Sequence, residues 1–389
     1  MPRHCPDNPP TRLGELRTEA PITRVRSWDG STPWLITAHE YARAALVSPA
    51  LSSDTAKSGF PAVGPGDVAS GDEQRPGVLL TMDGAEHTRL RRKLIGEFTV
   101  RRIEALRPRV EQAVHDLLDA LAAGPKPADL VSALALPLPS LVISELLGVP
   151  YADHDFFQQR SNDALDTQAG REQTQHALGE LVAYLNELVV AKQANPGDDL
   201  LSRLLEAGEL TPREVAGVGT LLLVAGHETT ANQIALGVLT LLRHPEQAGE
   251  LRATDDPATI RAAVEELLRL LTITQAGARR VAVEDVRIGD VLIKAGEGVI
   301  IATNAANRDA DVFDRPDDYD QHRAVNRHVA FGFGPHQCLG QPLARLDLQV
   351  VHPALLRRFP TMKLAVDSAA LSYRDTMPMF GVNELPVTW

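Results

Sequence analysis

The sequence of 389 residues predicts a mainly α protein with a minor β portion, folded as a single large domain over residues 1–389. Three observations carry this expectation. Apolar residues recur at spacings of three and four through most of the stretch from Glu86 to Leu205. One segment, Thr211 to Arg243, reads as a helix of unusual length. The β-like pieces are short and lie near both ends of the chain, and neither an internal repeat nor a long linker divides it.

Residues 1–10 are polar and proline-rich and read as a flexible N-terminus. Trp34 to Thr37 is strand-like. A loop rich in Gly, Pro and Asp follows from about Ser58 to Gly77, a length that suggests a binding loop or lid before Met82. Helical periodicity then dominates, as in Val110 to Leu121.

The best-delimited helix starts at Thr211, where Thr-Pro-Arg-Glu offers a capping box with proline at the first helical position. It continues until His244 and Pro245 end it, roughly 50 Å at ~1.5 Å per residue. Between Glu214 and Arg243 its only titratable side chains are His227 and Glu228. A carboxylate within a buried helix is costly unless paired or used.

A second helix is expected over Ile260 to Leu271, then β-like pieces at Arg280 to Val286 and Val299 to Thr303, with Gly289 and Gly296 at turns. A loop from Arg308 to Arg327 leads to a glycine-punctuated segment, Phe331 to Gly340, and a last helix from about Pro342 to Phe359.

The chain carries 51 Asp and Glu against 39 Lys and Arg, a formal charge of −12. That balance excludes nucleic acid and anionic membrane surfaces as partners of the molecule as a whole. The longest uncharged apolar stretch, Val215 to Ala225, falls far short of the ~20 residues of a membrane span. The N-terminus lacks the pattern of an ordinary secretory signal. Only two cysteines occur, Cys5 and Cys338, which fits a reducing compartment. A cytoplasmic, unanchored, monomeric protein is expected.

Cys338 sits just before a helix N-terminus, where backbone N–H groups and the helix dipole favour a thiolate. Gly332, Gly334 and Gly340 are read as giving the loop conformations that let it pass close to a flat group. From the residues alone, three uses of the sulfur stay open: a nucleophile, an axial ligand to haem iron, or a buried structural thiol.

Phe331, Gly334, His336, Cys338 and Gly340 stand at the spacing Phe-x-x-Gly-x-x-x-Cys-x-Gly. In this the sequence resembles the cytochromes P450, and most closely their short bacterial members that use a separate ferredoxin. The resemblance runs over nearly the whole chain. It implies a fold with haem b between the long central helix and the cysteine loop, Cys338 as the thiolate ligand to the iron, Phe331 beside it, backbone N–H groups after the cysteine tuning the sulfur, and Gly340 among the residues that hold the cofactor.

Ala225, Gly226, His227, Glu228, Thr229 and Thr230 look like the family's oxygen-activating segment. The resemblance makes Glu228 and Thr229 an acid–alcohol pair delivering protons. It has Ala225 and Gly226 letting the helix approach the porphyrin, with a local widening of the helix. The plainer reading is an ordinary helix in which Thr229 bonds back to the preceding turn and Glu228 finds an arginine.

Glu266 and Arg269 match the family's Glu-x-x-Arg pair. At minimum this is a helix-surface ion pair worth a few tenths of a kcal/mol. The resemblance adds Arg323 and a role in supporting the cysteine loop. His87 and Arg91, at i, i+4, together with Arg280 and His336, match the contacts to haem propionates, with Arg279 an alternative to Arg280. Arg89, Arg91, Arg92 and Lys93 otherwise read as a basic face that steers an acidic protein partner.

The resemblance implies a monooxygenase that uses O2, a separate ferredoxin and its NAD(P)H-dependent reductase to oxidise a small organic molecule. By family position, the substrate lies against Val224, Ala225, Thr274, Gln275, Ala276, Gly277, Met379 and Phe380. Two other classes remain beside it, a non-catalytic haem sensor or electron carrier and a cysteine hydrolase using His336. The hydrolase lacks an evident orienting Asn or Asp.

Overall fold

The structure is a computed structural model that describes residues 8–62, 64, 77–166, 168, 170–324, 326–375 and 377–389. Cys5 and most of the expected lid loop therefore lie outside the described residues. In chain order, the helices that position the site are α1 (His39–Val47), α2 (Gly84–Ile95), α3 (Pro137–Leu147), α4 (His154–Leu165), α5 (Arg171–Ala194), α6 (Pro212–Arg243), α7 (Pro257–Leu271) and α8 (Gln341–Arg358).

Helix α6 organises the rest. The Thr211 hydroxyl accepts from the Glu214 N–H at 3.2 Å, and Glu214 Oε2 accepts from the Thr211 N–H at 2.7 Å, so the capping box is closed. Its C-terminal half is buried on every side, without a break from Thr230 to Leu241, as expected of a helix through the middle of a large core. Helices α3, α5, α7 and α8 pack around it.

Helix α7 starts three residues before the expected position, at Pro257. Asp256 caps it, accepting from the N–H groups of Ala258 and Thr259 at 3.2 and 3.0 Å. The last helix runs one residue earlier at each end than expected. Helix α2 carries His87 and Arg91 on adjacent turns, as their spacing requires.

The β portion is a five-stranded sheet of β1 (Ile22–Arg24), β2 (Trp34–Ile36), β3 (Leu51–Ser52), β4 (Ala278–Ala282) and β5 (Gly298–Ile301), in the order β1-β2-β5-β4-β3. Only β2 and β5 run parallel. Strand β4 begins two residues before the expected Arg280 and stops at Ala282, because the next β residues, Val286–Ile288, belong to a separate hairpin with Val291–Ile293. Gly289 and Gly296 take positive φ at the expected turns. The C-terminal strand Pro386–Thr388 lies between Ala128–Asp129 and Lys363–Leu364 in a three-stranded sheet. Among the described residues, no helix is long and apolar enough to cross a membrane.

Candidate active site

The cysteine loop is held from below by a buried polar assembly. Glu266 and Arg269 lie three residues apart on α7, and both are 0% exposed. Arg269 donates to Glu266 at 2.7 and 2.8 Å, then to the carbonyls of Asn307, Pro316 and Asp318. Arg323 and Asn326 approach the same carboxylate at 3.1 Å. The minimal reading of a surface ion pair is thus corrected: burial turns it into the centre of an extended hydrogen-bonded network. Asn307 passes the constraint on, its side-chain oxygen accepting from the Val329 N–H at 2.7 Å.

From Val329 the loop folds on itself. The N–H of Gly332 reaches Val329, and that of Cys338 reaches the Phe331 carbonyl at 2.8 Å. Gly332 and Gly334 have φ of 72° and 75°, so glycine is required at both. Gly340 differs from expectation: its φ is −78°, an ordinary value at the N-cap of α8, and a Cβ there would meet no protein atom within 4 Å.

The Cys338 side chain is solvent-accessible although its sulfur lies deep among protein atoms, so it faces a concavity. Burial raises the thiol pKa. The N–H groups of Gly340 and Gln341 and the charges of Arg91 and Arg345 pull it back. Arg345 stacks over Phe331 at 4.6 Å and is paired with Glu265 at 2.6 Å. Glu265 also meets His328 at 3.0 Å; burial would raise its pKa, yet these two partners bring it down to about 2.

A basic cluster stands beside the sulfur. His87 and His336 lie with ring centroids 4.2 Å apart. His336 is anchored by Asp83 at 3.2 Å and Ser53 at 3.1 Å, whereas His87 is buried with Nε2 unpartnered. Burial, then the neighbouring His336 and Arg91, lower the His87 pKa to about 4. Arg91 donates to the Gln337 carbonyl at 2.6 Å, and buried Arg280 to the Arg279 carbonyl at 2.7 Å, both neutral acceptors. Strand alternation sends Arg279 the other way, to the Pro61 carbonyl at 2.9 Å and over Phe60, which favours Arg280 as the member of this cluster. Two arginines on neutral acceptors and an unpartnered buried imidazole nitrogen are a donor set suited to carboxylates.

The basic face of α2 is more neutral than its sequence suggests. Arg89 pairs with Glu86 and Glu214, Lys93 with Glu209, and Arg91 turns inward toward Gln337.

On α6, Ala225 is exposed in mid-helix, with Val224 and Thr229 half-buried beside it, while Leu223, His227 and Glu228 are buried. The helix is α throughout, so the expected widening is absent as a change of helix type. The Thr229 hydroxyl donates to the Ala225 carbonyl at 2.8 Å. Gly226 also faces a packed neighbour. A Cβ there would meet Ile143 of α3 at 3.0 Å, so its smallness serves helix packing.

The expected substrate positions divide. Thr274 bridges Met379 in antiparallel fashion, and both are half-buried, as is Ala276. Gln275 instead spends its amide on the carbonyls of Arg374 and Met377. Gly277 has φ 65°, and a Cβ would lie 2.3 Å from the Ile301 carbonyl, so it serves the sheet. Phe380 is 1% exposed and stacked on Tyr373, a core side chain.

A family model described as Cytochrome P450 matches residues 258–387. Cytochrome P450-SU2 of Streptomyces griseolus is 49% identical over 99% of this chain and 94% of its own length. The chain belongs to the cytochromes P450. Pentalenic acid synthase of Streptomyces avermitilis is 47% identical over 100% of this chain and 96% of that relative. The crystal structure of mycinamicin VIII C21 methyl hydroxylase from Micromonospora griseorubida, bound to mycinamicin VIII, superposes with a TM-score of 0.93 at 44% identity, covering 100% of this chain and 99% of that one.

This cytochrome P450 is therefore an oxygen-inserting haem-thiolate enzyme, a monooxygenase, and the sensor and hydrolase readings fall away. Its family fold needs an organic substrate, O2 and a redox partner. Both contacts of the plainer reading are present, Thr229 bonding back to Ala225 and Glu228 finding an arginine at 2.6 Å, but the sequence did not name that arginine as Arg374, nor Asn326 and Glu265 beneath the loop. Arg374 lies 146 residues from its partner on an irregular segment with no periodic signal. Glu265 was the findable one, since it adjoins Glu266.

Proposed function

We propose that this cytochrome P450 carries haem b, receives electrons from a separate ferredoxin with its NAD(P)H-dependent reductase, and hydroxylates or epoxidises a small, largely apolar molecule in secondary-metabolite tailoring. One observation carries the reading: a solvent-accessible sulfur deep in the protein, at the head of α8, flanked by Arg91 and Arg345. Pentalenic acid synthase and mycinamicin VIII C21 methyl hydroxylase, both close relatives, support a tailoring role.

In this reading Cys338 holds the iron, with Phe331 beside it. His87, Arg91, Arg280 and His336 hold the propionates, and the unpartnered His87 Nε2 favours such a role. When bound, haem supplies O2 activation and oxygen insertion into a C–H bond or an alkene. The chain's own residues do the rest. Val224, Ala225, Thr274, Ala276 and Met379 orient the substrate and exclude water. The Thr229 hydroxyl donates a hydrogen bond to the Ala225 carbonyl and keeps its lone pairs free to accept from the cavity side. Glu228, the residue immediately before it, carries protons inward. The low cysteine count supports a cytoplasmic setting, and we read the protein as a monomer.

The reduced holoenzyme should give the thiolate-type spectrum with carbon monoxide, and Cys338→Ala should lose it. Terpenoids and macrolides titrated into the ferric enzyme should shift its spin state. A thiolate-type spectrum surviving in Cys338→Ala would overturn the ligand assignment.

A further inference from the structure

The least explained side chain near the site is Arg374. It sits on the C-terminal segment, its side chain is 14% exposed, and its guanidinium is divided between two elements. Nη1 donates to Glu228 Oε2 of α6 at 2.6 Å, and Nη2 donates to Asn162 Oδ1 of α4 at 2.7 Å. Glu228 is 2% exposed, and its other oxygen is buried without a hydrogen-bond partner.

The titratable groups facing that carboxylate are Arg374 from the C-terminal segment and His227 from α6 itself. His227 Nε2 lies 3.7 Å from Oε1, and burial lowers its pKa, so it brings little positive charge. From α4 come Asn162 and Phe157, the latter edge-on to His227. The compensating charge for Glu228 thus comes from Arg374. The arginine is itself fixed: its N–H reaches the Gly381 carbonyl at 2.9 Å, and its carbonyl accepts from Gln275 at 3.2 Å. That contact explains why Gln275 turns away from the substrate side.

We propose that Arg374 is a positioning residue for Glu228. It holds one carboxylate oxygen and leaves the other free for proton exchange, and through Asn162 it ties this arrangement to the placement of α4. The proposal rests on the reading of Glu228 as a proton carrier. The step is a net transfer of one proton: starting from the carboxylate paired with Arg374, Oε1 takes a proton from the solvent side and then gives one up toward the cavity, returning to the carboxylate. Loss of Arg374 leaves a buried carboxylate without its counter-charge, which favours the protonated form and stops the exchange.

The test compares wild-type holoenzyme with R374M, R374K, E228Q and R374M/E228Q. Infrared difference spectra across a pH titration read a protonated buried carboxyl directly. R374M should show a band that R374M/E228Q lacks and R374K suppresses. NADPH oxidation with a plant ferredoxin and its reductase, 7-ethoxycoumarin being the probe, should release several-fold more peroxide per NADPH in R374M, with recovery in R374K. An R374M spectrum without a Glu228-dependent band overturns the proposal. If E228Q raises peroxide release and R374M does not, Arg374 has no positioning role while the Glu228 reading stands. If E228Q itself behaves as wild type, the Glu228 reading fails, and the infrared band still decides whether Arg374 governs that carboxylate.

Discussion

Arg323 and Glu266 are 57 residues apart in sequence and 3.1 Å apart in space, so the loop before the cysteine is fastened to the middle of α7. Because Glu266 is fully buried and also neutralises Arg269, removing it strands two guanidinium groups.

Glu266→Ala should therefore destabilise the protein by about 3–5 kcal/mol, the range for breaking one side of a buried ion pair. Thermal unfolding and the haem-to-protein ratio of the purified enzyme check this. Unfolding at the wild-type temperature with full haem content would place the network outside the support of the loop.

Thr229→Ala removes the hydroxyl one turn from Ala225 while leaving the wall of the concavity intact. Haem content should be unchanged, and reducing equivalents should be diverted to peroxide. Electrons partitioned as in wild type, measured with the true substrate, would rule out the proton-handling role.

Arg91 reaches both the Gln337 carbonyl and the field of Cys338. Arg91→Leu should weaken haem retention and lower the reduction potential, as a positive charge near the thiolate is lost. Hemin titration of the apoprotein and spectroelectrochemistry are the checks, and wild-type values in both would refute the assignment.

His352 and Asp347, both buried on α8, oppose each other in their pH dependence. Burial lowers the His352 pKa from 6.5 to about 4, so the unfolded chain binds the extra proton and stability is lost as pH falls through that window. Burial raises the Asp347 pKa well above 3.8, so the folded chain keeps the extra proton and stability is lost as pH rises past 3.8. Above about pH 4 the two slopes therefore have opposite signs, the His352 slope ending near its ordinary value of 6.5. His352→Leu should unmask stability falling with rising pH, and Asp347→Asn the reverse. Denaturant unfolding across that range measures it, and parallel curves for both variants would dismiss the pairing.

The sequence by itself determined the helix that crosses the core, because a capping box, a proline at the first turn and a terminal His-Pro are local signals acting over a few residues. It also determined the cysteine loop, whose left-handed positions at Gly332 and Gly334 exclude other residues. Tertiary structure alone decided the direction each of these side chains faces. Gly226 answers to Ile143, Gln275 and Phe380 belong to packing, and the single surface pair Glu266–Arg269 became a buried hub. The partner of Glu228 came from 146 residues away. Burial and charge compensation depend on what the fold brings alongside a residue, and spacing along the chain carries no record of neighbours that distant.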